Sequence, residues 1–198
     1  VVGTFVLTIL GTFLTRSGII SSVHAFTQGT IGYYFLAFIA LVLIGSLVMV
    51  AGNSERLRGV GNLDAALSRE TVFLLNNLLL TVFMFTVLIG TLFPLVAEAI
   101  RGVKVSVGEP FFNRMSLPVI MGLLFLMGVG PALPWRRGTM EDLKRKLVPG
   151  AVVGLLLGIV AVVAGTRHVY AIVAFTFAGF AATLNIAEFV IEIGRAHV

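Results

Sequence analysis

Apolar residues run along this chain in long blocks separated by short polar intervals. They show neither the polar face of a soluble amphipathic helix nor the two-residue alternation of a barrel strand. A hydrocarbon core about 30 Å thick needs about 20 residues of helix at 1.5 Å per residue. Six blocks meet or approach that length, at 1–14, 33–51, 74–96, 117–133, 148–164 and 169–190. Each is apolar all round. Lipid offers backbone N–H and C=O groups no partner, so a spanning segment of this kind must be helical. The pattern therefore predicts an all-α, polytopic transmembrane helical bundle of about six spans. The first block is too short to cross and begins at Val1, so it reads as a span cut in half within a single membrane domain over 1–191.

The intervals carry local signals of their own. Leu57, Val60, Leu63 and Leu67 recur at spacings of three and four, which predicts a short interfacial helix within 53–68. Ser68 is placed to cap the third span, with Glu70 in its first turn facing the positive helix end. Val103, Val105 and Val107 alternate ahead of Gly108-Glu109-Pro110, which predicts a brief extended segment closed by a turn. Gly150, Gly154 and Gly158 form a small-residue stripe that lets helices approach closely, and Gly165 continues it. Gly128-Val129-Gly130-Pro131 predicts a break near the end of the fourth span.

Composition agrees with the pattern. Hydrophobic residues make up 58% of the 198 and charged residues only 12%, with a mean hydropathy of +1.06. So few charges cannot cover a water-facing surface, which excludes a soluble enzyme, a disordered tail or a nucleic-acid module. Cysteine is absent, so this chain supplies no disulfide, thiolate zinc site or thiol chemistry. The net charge of +5 matters through its distribution. Arg56, Arg58, Arg69, Arg136, Arg137, Lys144, Arg145 and Lys146 fall in one set of loops, and Arg16, Arg101, Lys104, Arg114 and Arg167 in the other. That bias predicts a cytoplasmic 136–146 loop and outward loops at 16–32, 101–116 and 166–168. The last seven residues, from Glu192 to Val198, read as a translated sequencing adapter, so 192–198 is expected to contribute no packing.

Candidate chemistry is sparse, because no P-loop, nucleophile elbow or metal-binding pair is present. His197 lies in the adapter-like tail and His168 in a short turn. His24 stands among Ile19, Ile20, Val23 and Phe26 in the first outward loop. Such apolar surroundings favour neutral imidazole, the form that ligates iron, although on these residues alone an interfacial polar residue is the better account of a lone histidine. Asn185 and Glu188, a turn apart near the end of the last span, read as snorkelling residues; Asn76 and Asn77 read as capping or interhelical groups. Arg16 lies eight residues before His24. It is placed to orient the loop, to meet lipid headgroups or to meet an acidic group of a ligand. Two other readings fit the same pattern: a multi-spanning permease with its path along the broken fourth helix, and a structural assembly subunit. No internal repeat supports the permease.

Several motifs in one order give the chain a resemblance. Gly11-Thr12-Phe13-Leu14-Thr15-Arg16-Ser17-Gly18, Ser22-Val23-His24-Ala25-Phe26, and Ser68-Arg69-Glu70 with Leu74-Leu75-Asn76-Asn77 come first. Gly90-Thr91-Leu92-Phe93-Pro94, then Ser106-Val107-Gly108-Glu109-Pro110-Phe111-Phe112-Asn113, then Met127-Gly128-Val129-Gly130-Pro131 with Trp135 complete the set. Together they resemble the cytochrome c maturation haem lyase family CcmF and its nitrite-reductase-associated relatives.

That resemblance implies a multi-pass protein of the bacterial inner membrane. It would take haem from a periplasmic haem chaperone and join the vinyl groups to the CxxCH thiols of apocytochrome c, alongside other maturation subunits. It implies that His24 is an axial ligand to the haem iron in transit and leaves a haem propionate as the group Arg16 could meet. The family's Trp-rich outward segment, the first outward histidine and both membrane histidines of its permanent haem b have no counterpart here. The chain therefore reads as a middle slice carrying half a site, not expected to ligate haem alone.

Overall fold

A computed structural model of the chain describes residues 2–17, 31–57, 67–134 and 139–196, with side chains to Ile193. All regular structure among them is helical: α1 (Val2–Arg16), α2 (Ile31–Gly52), α3 (Arg69–Arg101), α4 (Glu109–Ala132), α5 (Met140–Val163) and α6 (Val169–Ala196). Helices α2 to α6 are long and apolar enough to cross a membrane, whereas α1 has 15 residues. Large apolar side chains such as Tyr33, Leu41, Leu47, Ile89 and Ile159 are exposed. In water such a surface would aggregate; in lipid it is the expected outer face of a multi-pass protein. The chain divides into two compact units, Val1–Gly61 and Asn62–Val198.

In the first unit, α1 lies against α2 and buries Ile9, Phe13 and Leu14, with Ile39 buried on α2. Gly32 permits the approach: a Cβ there would come within 3.1 Å of the Ser17 Cβ. Thr8, Thr12 and Thr15 occupy exposed positions of α1. Their hydroxyls donate back to the carbonyls of Thr4, Thr8 and Thr12 at 2.9–3.0 Å. Residues 53–57 form a hydrogen-bonded turn, Leu57 N–H donating to Asn53 O at 3.2 Å. Residues 58–66 of the expected interfacial helix lie outside the described residues, and 67–68 form a bend that leads into α3.

In the second unit, α6 packs between α4 and α5, and α3 packs on α4. The glycine stripe does what its spacing predicts. Gly150, Gly154 and Gly158 are buried, and a Cβ at Gly150 would stand 2.8 Å from Leu184 Cγ. A Cβ at Gly154 would run into the Thr176 carbonyl, and one at Gly158 into the Thr176 hydroxyl. Phe180 of α6 fills the space left by Gly128 of α4, where a Cβ would approach its ring to 2.6 Å. Its ring stacks on Phe125 at 5.4 Å and 10°. Gly165 departs from the expectation. It has φ 101° and ends α5: its N–H donates to Val162 O, and Thr166 N–H donates to Ala161 O. That pair of bonds is a Schellman cap, which requires the left-handed conformation glycine adopts without strain.

Helix starts depart most at α5 and α4. Helix α5 begins at Met140, eight residues before the expected 148, so the second part of the expected 136–146 loop is helix. The Thr139 cap opens it, with Glu141 and Asp142 in its first turn. Gly108-Glu109-Pro110 opens α4 instead of closing an extended segment: Gly108 is its N-cap and Pro110 lies in its first turn. Proline's fixed φ suits a first turn whose N–H groups lack partners anyway, and Glu109 favours the positive end. Residues 103–108 form no strand. The helix thus starts eight residues before the expected 117, and Phe111 and Phe112, edge to face at 81°, belong to it. Both rings lie where a Cβ on Gly90 of α3 would be, at 2.7–2.8 Å.

Candidate functional site

Ser17 N–H donates to Phe13 O at 2.8 Å as α1 ends, and α2 starts at Ile31 beside it. Arg16 stands in the last turn of α1, where a cation meets the negative helix end. His24, seven residues from Ser17 and seven from Ile31, lies outside the described residues. His168 is exposed between α5 and α6, and its carbonyl accepts the N–H groups of Ala171 and Ile172 at 3.0 and 3.1 Å. That is a structural role at a helix start. No group of three or more His, Asp or Glu able to hold a metal occurs among the described residues.

The second unit holds a constellation that sequence reasoning did not assemble. Pro131 stands inside α4 and has no N–H, so the Met127 carbonyl four residues earlier loses its helical donor. Asn185 of α6 supplies one: its Nδ2 donates to Met127 O at 3.0 Å and to its own Ala181 O at 2.8 Å. Asn185 is therefore a link between helices rather than a snorkelling group. The last carbonyls of α4 find a donor on α3. Arg69 Nε bonds to Leu133 O, its Nη2 bonds to Pro131 O, and its backbone N–H donates to Pro134 O at 3.0 Å. Next to it Ser68, fully buried, caps α3 as the spacing predicts, accepting from Thr71 N–H at 3.3 Å. A forked guanidinium suits two neighbouring carbonyls as an ammonium does not.

These groups line a cavity of about 380 Å³, with Val72, Phe73 and Asn76 on the α3 side and Leu126 and Gly130 on the α4 side. Its walls are mostly apolar, and its polar groups are amides and a guanidinium. Among the described residues that line it there is no nucleophile, carboxylate or imidazole, and the Asn185 amide and the guanidinium are engaged in holding helix ends. Glu188, expected to snorkel, pairs instead with Lys146 of α5, Nζ to Oε1 at 3.3 Å. The signal for Asn185 was present: a proline frees the carbonyl four residues before it. The donor that fills it, 58 residues away, is visible only once α6 is laid against α4.

No family model matches the chain. Curated relatives do. The cytochrome c-type biogenesis protein CycK of Bradyrhizobium diazoefficiens is 45% identical over 155 residues, 78% of this chain and 23% of that protein. The cytochrome c-type biogenesis protein CcmF of Escherichia coli K12 is 37% identical over 197 residues, covering 98% of this chain and 30% of its own length. The NrfE protein of Haemophilus influenzae is 33% identical across 69% of this chain. Among solved structures, the cytochrome c heme lyase CcmF superposes with a TM-score of 0.62 at 30% identity, over 94% of this chain and 26% of that one. The chain spans about a quarter of the length of the proteins it matches.

Proposed function

The chain belongs to the CcmF family of cytochrome c-type biogenesis proteins, and from that premise we propose that it is part of a membrane haem lyase. In this reading the whole protein receives haem from a periplasmic haem chaperone. It joins each vinyl group to a CxxCH thiol of apocytochrome c, S–H adding across C=C to leave a thioether. Haem is the substrate, and the chain supplies an imidazole, a helical support and part of a dry surface. The observation that carries the reading is the match to a solved haem lyase over 94% of the chain. It is supported by the motif order around His24.

His24 is the axial ligand to the haem iron, and Arg16, in the last turn of α1, steers a propionate toward it. The loop holding His24 faces the periplasm, and the segment 136–146, which includes the first turns of α5, faces the cytoplasm of a bacterial inner membrane, the arrangement its arginine and lysine run favours. In the full-length protein, His24→Ala should abolish or sharply reduce holocytochrome c formation without lowering protein abundance. Added imidazole should restore part of it by filling the vacant coordination position, and His168→Ala should mature cytochrome normally. Unimpaired maturation by His24→Ala removes the ligand assignment. The orientation is checked separately, since the chain has no native cysteine. An impermeant thiol reagent should label a cysteine at position 24 in intact spheroplasts and spare one at 140; labelling at 140 reverses the topology.

A further inference from the structure

Charged groups at one end of α5 point to a lipid rather than to haem. From 147 to 165 α5 and its cap carry no charge, a stretch of about 28 Å at helical rise, close to the thickness of a hydrocarbon core. Lys146 therefore marks one edge of the core, and its ion pair with Glu188 marks the same level on α6. Just outside that level, between the end of α4 and the start of α5, is a second cavity of about 490 Å³. Ala132, Pro134 and Leu143 form its apolar part, and Asp142, Arg145 and Lys146 its charged part.

Both signs of charge face this cavity, and they are not spent on each other. Asp142 and Arg145 are three residues apart on one helix face, the spacing at which opposite charges can meet, yet no ion pair joins them. Asp142 takes its hydrogen bond from the Thr139 hydroxyl, and Thr139 in turn accepts from Asp142 N–H at 3.2 Å. The Lys146 charge is matched by Glu188. That leaves one guanidinium and one carboxylate opening on the same space at headgroup depth, with Glu141 and Lys144 exposed beside them.

We propose that this cavity binds the headgroup of phosphatidylethanolamine. Arg145 receives the phosphodiester, for which its planar fork is suited, and the Asp142 carboxylate accepts from the ammonium. Ala132, Pro134 and Leu143 take the glycerol and upper acyl region. Phosphatidylglycerol has no cation for Asp142 and would bring its negative charge to a carboxylate. The quaternary ammonium of phosphatidylcholine has no N–H to donate. The inference does not depend on the haem reading, because it uses neither His24 nor the first unit.

The test is native mass spectrometry of the full-length protein released from mixed micelles containing the three lipids, with matched acyl chains, in equal amounts. Phosphatidylethanolamine should be retained over both others by roughly tenfold, the ratio expected from one additional charged hydrogen bond. Asp142→Asn should remove that preference and leave phosphatidylglycerol held as well. Arg145→Gln should lower retention of all three, and Arg145→Lys and Asp142→Glu should keep most of the preference. Circular dichroism checks that each variant retains its helices, so that a loss is read as a lost site. Equal retention of the three lipids, or a preference unmoved by either neutralisation, overturns the proposal. Displacement of the lipid by inorganic phosphate also overturns it, since that would make the cavity a site for the free anion.

Discussion

The α5–α6 seam and the junction between α3 and the end of α4 join helices by opposite means. At the seam, Gly150, Gly154 and Gly158 remove side chains so that the α5 backbone meets the α6 backbone and the side chains of Leu184 and Thr176. At the junction, Arg69 and Asn185 insert side chains to reach carbonyls that Pro131 and the helix end leave without donors. The seam depends on volume and tolerates no added atom. The junction depends on valence and tolerates no missing donor. Apolar helices in lipid gain little from burying one another, so close packing and satisfied backbone groups are the two resources available.

The difference can be broken at its strongest point first. Gly154→Leu should destabilise the purified chain by about 3 kcal/mol, the upper end for overpacking, because the obstructing atom is a backbone carbonyl that cannot rotate away. Gly45→Ala on α2, where a Cβ meets nothing within 4 Å, should cost nothing; equal losses at both sites would refute the packing argument. Unfolding in graded denaturing detergent measures both.

Arg69→Gln comes next. It leaves the Leu133 and Pro131 carbonyls without their guanidinium and should cost roughly 1–3 kcal/mol. Arg69→Lys should recover only a minor part, because one ammonium cannot reproduce the fork. Full rescue by lysine would mean that charge alone matters at this helix end.

Asn185→Leu should cost least, about 0.6–1.7 kcal/mol, the range for interhelical hydrogen bonds in membranes. It also sharpens the comparison, because Pro131→Ala restores the N–H that Met127 O lacks. In the Pro131→Ala background Asn185→Leu should be nearly neutral. A cycle in which the two effects simply add would show that Asn185 is not there for the proline.

What could be read from the chain before its fold followed the same division. The existence and order of the six helices, the Ser68 cap and the stripe from Gly150 to Gly158 depend on neighbours within a few turns, and each is found. The start of α4 was misplaced because Gly108-Glu109-Pro110 serves equally as a turn and as a helix opening. What decides is the room beside Gly90 for Phe111 and Phe112, contributed by another helix. Arg69 and Asn185 were legible as residues but not as a site. A carbonyl freed by proline can be predicted from position alone, whereas the donor that answers it is chosen by tertiary contact. His24 is the reverse case, recognised by its motif and lying outside the described residues.

The threonines that bond back to their own helix alter how α1 partitions between water and hydrocarbon. Transferring a hydroxyl into an alkane-like phase is unfavourable chiefly because its proton finds no acceptor. On α1 the protons of Thr8, Thr12 and Thr15 are already given to carbonyls one turn earlier, and Thr81, Thr86, Thr176 and Thr183 repeat the arrangement on other helices. What such a face offers its surroundings is methyl groups and a few acceptor oxygens. A row of residues that a transfer scale ranks as polar thus dissolves in acyl chains much as valines would, while keeping a lone pair for any donor that comes to lie beside it.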